Sequence, residues 1–108
     1  GRDDIHAVKA RQAIARRDHQ KQRLQEAVQR RDGPRLHQVV NDWEFDRSDE
    51  DFQESQLALA RYEKMVMDVG RMMGPPMDIV ALAHVLQDWE WSKDDPVRLA
   101  AQKRISEH

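Results

Sequence analysis

Apolar residues are sparse at the start of the chain and dense towards its end. From Arg2 to Asp32 only Ile5, Val8, Ile14, Leu24 and Val28 are large and apolar, against twenty-six such residues after Gly33. The first stretch holds no Pro and no Gly before Gly33, and its Ala, Gln, Arg and Glu favour helix. Ala7, Ala10, Ile14, Leu24 and Val28 fall on one heptad seam, but Arg17 and Lys21 interrupt it. The pattern predicts a long polar helix over 2–32 that lies at the edge of the fold rather than in a coiled coil. Gly33-Pro34 reads as its stop and as the start of the next helix.

Four further helices follow from the same spacing rules. Leu36, Val39, Val40 and Trp43 share one face of a helix over 34–45. Ser48 with Asp49, Glu50 and Asp51 caps a third helix over 49–73, whose face carries Phe52, Leu59, Tyr62, Val66, Val69 and Met73. Gly74-Pro75-Pro76 opens a fourth over 76–91, apolar on nearly every side, which is therefore expected to be the central helix. Ser92 to Pro96 restarts a short fifth helix with Val97, Leu99, Ala100 and Ile105. The expected fold is all-α: a five-helix bundle of two antiparallel αα-hairpins plus a short C-terminal helix. The main apolar core is expected within 34–108, with 1–32 as a basic edge helix of the same single domain.

An internal echo supports the paired arrangement. Val39-Val40-Asn41-Asp42-Trp43-Glu44-Phe45 resembles Val85-Leu86-Gln87-Asp88-Trp89-Glu90-Trp91, 46 residues on. Val28-x-Arg30-x-x-Gly33-Pro34 resembles Val69-x-Arg71-x-x-Gly74-Pro75, 41 residues on. The difference in offset predicts a fourth helix about five residues longer than the second.

Composition narrows the function classes. Charged residues are 35% and there is no Cys, so no disulfide, thiolate metal site or cysteine nucleophile exists. No apolar run approaches the ~18 residues of a membrane span, and a soluble, intracellular setting is expected. The first residue is Gly rather than Met, which fits a fragment of a longer protein. The net charge of −2 conceals a basic first third, with ten Lys/Arg against five Asp/Glu in 1–35, and an acidic remainder.

Three constellations are candidates for function. Arg2, Lys9, Arg16, Arg23 and Arg30 recur every seven residues and place a basic stripe on one face of the first helix. Such a stripe fits phosphates or an acidic protein groove, although no aromatic residue is interleaved with it for base stacking. Phe45 and Trp91 lie two residues past Trp43 and Trp89, where the chain leaves a helix, and are candidate partner anchors. Trp89 itself continues the stripe of Ile79, Leu82 and Leu86 and is expected in the core. The acidic run Asp42–Glu54 fails as a calcium loop, because Arg47 stands at its glycine position and Gln53 at its bidentate position. His84 and Asp88 share a helical face but lack a nucleophile or a second histidine partner.

The sequence thus points to a non-enzymatic protein–protein interaction or scaffold module, without cofactor or metal. A protein partner is the first expectation, and self-association is compatible with it. The alternative is a nucleic-acid-binding module that uses the basic face of the first helix.

Overall fold

The computed structural model describes residues 2–108, with side chains from Ile5 onward. The fold is all-α, with helices α1 (Arg2–Gln29), α2 (Gly33–Asn41), α3 (Glu50–Met73), α4 (Ile79–Gln87) and α5 (Pro96–Glu107). The molecule is a rod, 70 × 22 × 20 Å. Its helix contacts fall into two triplets that share α3: α1 with α2 and α3, then α3 with α4 and α5. Among the described residues neither α1 nor α2 touches α4 or α5.

Each triplet encloses its own small core. Leu24, Ala27, Leu36, Val39, Phe52, Leu59 and Tyr62 are buried together in the first, joined at its margin by Trp43 and Trp91. Val69, Leu82 and Ala101 form the second, with Met65, Met72, Met73, Met77, Val85, Leu86, Val97 and Ile105 around them. The first helix therefore supplies Leu24 and Ala27 to a core face, while its residues 5–19 are all exposed. That half projects beyond the rest of the molecule.

Several sequence expectations are corrected here. The helix expected over 76–91 to be central is only Ile79–Gln87, buries Leu82 alone, and leaves Val80 69% exposed. The hub is α3, the one helix that supplies buried side chains to both cores, Phe52, Leu59 and Tyr62 to the first and Val69 to the second. The Asp-Trp-Glu-aromatic segments are not helix ends but loops of equal length, 42–49 and 88–95. The fourth helix is also no longer than the second: each spans nine residues. Of the five extra residues, two lie in the turn, which is 74–78 before α4 against 30–32 before α2, and three extend the end of α3.

Gly33 does not stop α1. Arg31 does, at φ 52, with the Arg31 amide donating to Val28 O at 3.2 Å and the Asp32 amide to Ala27 O at 3.1 Å. This is the left-handed cap with its paired 5→2 and 6→1 bonds, here without glycine. Gly33 has an ordinary φ and sits in the first turn of α2, where the Tyr62 ring lies directly on it. Its smallness is a packing requirement.

Candidate interaction surfaces

The 46-residue repeat is geometric as well as sequential. Asp32 and Asp78 cap α2 and α4, accepting from the Arg35 and Ala81 amides, both at 3.1 Å. Leu36 and Leu82, four residues into each unit, are both fully buried. In the loops that follow, Trp43 Nε1 donates to Asp46 O at 3.1 Å and Trp89 Nε1 to Ser92 O at 2.8 Å. The Ser48 amide donates to Asp46 Oδ1 at 2.9 Å, and the Asp94 amide to Ser92 Oγ at 3.4 Å. Asp49 and Asp95 close the two loops and cap α3 and α5. The tryptophans thus act first as loop staples, which satisfies their indole N–H groups.

Each loop docks on the long helix that precedes it, and here the second offset, 41, has its meaning. Lys21 of α1 reaches Asp49 at 3.2 Å and Asp51 at 3.3 Å. Tyr62 of α3, 41 residues on, donates its hydroxyl to Asp95 Oδ2 at 2.8 Å in a buried setting. The cation of the first unit has become a phenol in the second. Burial, and then the neighbouring Asp95 carboxylate, push the Tyr62 hydroxyl well above its ordinary range. Burial alone would raise Asp49, but Lys21 and the Phe52 and Asp51 amides together hold its carboxyl below the usual range. Arg31 ties the units together, since its carbonyl accepts from the Ser92 amide and its guanidinium donates to Glu90 O, both at 3.0 Å.

The basic stripe is divided by these contacts. Arg16 faces Glu44 at 3.8 Å and Arg23 faces Asp42 at 3.9 Å, so two of its members turn towards the acidic loop of the same molecule. Arg17, off the stripe, pairs with a third carboxylate, Asp49, at 3.4 Å. Lys9 is exposed on the projecting half and Arg30 is exposed near the end of α1. The side chain of Arg2 lies outside the described residues. What interrupted the heptad seam in sequence, Arg17 and Lys21, is the docking site for the acidic cap of α3.

The aromatic candidates separate as well. Phe45 is half-buried, edge-on to Trp43 at 5.4 Å, and Trp43 stacks on Phe52 at 5.5 Å. Trp91 is half-buried and edge-on to Tyr62 at 4.9 Å, against the first core. Trp89, expected in the core, belongs to neither cluster. Instead it forms a wall of an open groove of about 500 Å³ between α3, α4 and the second loop. Met65, Val69, Met72, Val85 and Trp91 complete the apolar lining, and Arg61, Lys64, Asp68, His84, Asp88 and Glu90 form a charged rim. Position 91 alone did not reveal this groove; the further signal is Met65 and Met72, which line it together with Trp89 and Trp91.

Among the described residues no group of three His, Asp or Glu side chains is placed to hold a metal ion. No described helix is long and apolar enough to cross a membrane. No known protein family, curated protein or solved structure matches this chain.

Proposed function

We propose that this chain is a non-enzymatic protein–protein interaction or scaffold module built from a helical repeat. The observation that supports the reading is the serial arrangement of helices, in which α3 closes one unit and opens the next. Units that contact only their neighbours make extended rods, and such rods work by the surfaces they display. The surface best suited to a partner is the groove beside Trp89. Methionine side chains adapt to irregular apolar shapes, and an apolar trough between two helices accepts the apolar face of a partner helix.

The nucleic-acid alternative draws on the basic stripe of α1, Arg2, Lys9, Arg16, Arg23 and Arg30. The pairing of Arg16 and Arg23 with Glu44 and Asp42 counts against it, because those carboxylates sit where phosphates would have to come. One experiment separates the two readings. A photo-crosslinking residue at Lys64, on the groove rim, is compared with one at Gln102 on α5. A protein captured from Lys64 and not from Gln102 supports the groove; equal capture from both rejects it. In parallel, binding to duplex and single-stranded nucleic acid is measured against salt, with each phosphate contact expected to add a log–log slope of about −0.7 to −0.9. A steep slope abolished by reversing Arg16, Arg23 and Arg30 to Glu would favour the alternative.

A further inference from the structure

The seam that carries buried Leu24 and half-buried Val28 passes through Lys21 and Arg17 and then, at spacings of three and four, through Ile14, Ala10 and Ala7 in the projecting half of α1. There it is uncovered: Ile14 is 60% exposed, and Ala7 and Ala10 are exposed with it. In α3 both halves of the equivalent seam are used. Phe52, Ser55, Leu59 and Tyr62 face the first unit and Val69 the second.

The sequence of this open half is that of a closing helix. Asp49 and Asp95 cap α3 and α5, the small residues Ser55 and Ala101 follow each Asp by six, and the aliphatic residues Leu59 and Ile105 follow by ten. Counted from Asp4, which lies within the first turn of α1 where Asp49 and Asp95 stand just ahead of their helices, the same positions in α1 are Ala10 and Ile14. Ala13-Ile14-Ala15-Arg16 also repeats Ala58-Leu59-Ala60-Arg61. Where a unit covers the pattern, the small residue is sealed, Ser55 at 1% and Ala101 at 0% exposure. From the acidic residue to the position that meets the next loop, Lys21 or Tyr62, α1 is longer than α3 by one turn, which keeps the two faces in line.

We infer that residues 5–16 of α1 are the closing helix of another unit of this same repeat. The occupant of the Ala7–Ala10–Ile14 face is the C-terminal half of a long helix together with a nine-residue helix, as α3 and α4 are for α5. It leads through an Asp-Trp loop to Asp4, and it seats Ile14 where Leu59 and Ile105 sit. This deepens the scaffold reading by naming the kind of partner, and rests on that reading only for the repeat. Crosslinking at the groove and closure of α1 succeed or fail separately.

The test joins residues 1–94 to residues 4–108, so that Asp4 takes the place of Asp95 and a complete unit precedes the second copy of α1. Hydrogen exchange by mass spectrometry is read over residues 8–18 of that copy and over the same residues of the native chain. The native amides are expected to exchange quickly, and those of the tandem about 100-fold more slowly, as in a covered helix. Ile14→Asp in the second copy should lower the denaturation midpoint of the tandem, while the same change leaves that of the native chain where it was. Equal exchange in both proteins, indifference of the tandem to Ile14→Asp, or a tandem that does not unfold cooperatively would each overturn the inference.

Discussion

Gly33 and Tyr62 show how one residue can be fixed by a distant one. A Cβ at position 33 would overlap the Tyr62 ring, so Gly33→Ala has to displace an aromatic side chain in the first core. Overpacking of this kind costs about 1–3 kcal/mol. Urea unfolding should show that loss, and a second substitution, Tyr62→Leu, should make the pair less costly than the sum of its parts. The hydroxyl of the same tyrosine gives a cleaner test. Tyr62 is the only tyrosine, so tyrosinate absorbance reports this one group. Its folded-state pKa is raised from 10.0, which means the neutral phenol is favoured by folding. The contribution is fully present below pH 10 and is lost as the pH rises through the folded value. Tyrosinate should therefore appear only as the protein unfolds, and Tyr62→Phe should flatten the alkaline fall in stability. Because that change strips a buried carboxylate of its donor, it should also cost about 1–3 kcal/mol at neutral pH.

Among the elements, the two loops decide more than the short helices they follow. Trp91 rests on Tyr62 against the first core, whereas Trp89 borders an open groove. Denaturant unfolding should find Trp91→Ala the more costly of the two, approaching the about 3 kcal/mol at the low end for emptied aromatic sites. That order is opposite to the one the helical stripe suggests. The first loop ends on Asp49, whose carboxyl is held low by Lys21 and two amides against the opposing effect of burial. A depressed carboxylate stabilises the fold above its unfolded pKa and loses that contribution as the pH falls through the folded value. Stability should accordingly decline as the pH drops below the ordinary 3.8, and Asp49→Asn should remove part of the decline while weakening the cap of α3. Melting temperature against pH for both proteins is the measurement.

On the scale of the whole molecule, α1 divides into a half that projects and a half that builds. Among the described side chains, deleting residues 1–19 removes only exposed ones and the contacts of Arg16 and Arg17, pairs with exposed arginines worth about 1 kcal/mol or less each. The shortened chain should keep nearly the full denaturation midpoint. Deleting 1–32 takes away Leu24 and Ala27, and leaves Leu36, Val39, Phe52 and Tyr62 facing water. That fragment should lose the cooperative transition of the first core, and any remaining structure should belong to α3, α4 and α5. Circular dichroism melts of the two truncations check both halves of the expectation.

The sequence by itself determined the helical class, the five elements and the echo of the Asp-Trp loops, because local propensity, capping acids and apolar spacing are written at short range. It also held both offsets, 46 for short helix and loop, 41 for the long helices. Their meaning lay in which side chains meet: Lys21 with Asp49, Tyr62 with Asp95. Only the tertiary structure decided that α3 rather than α4 is the hub, since apolar density counts residues and not the number of helices that pack around them. It also decided that Gly33 makes room for a ring 29 positions away, that Arg31 ends α1, and that Arg16 and Arg23 turn to carboxylates of their own chain. These depend on how elements lie against one another, and the free energy of that packing is set by contacts between residues far apart in the chain.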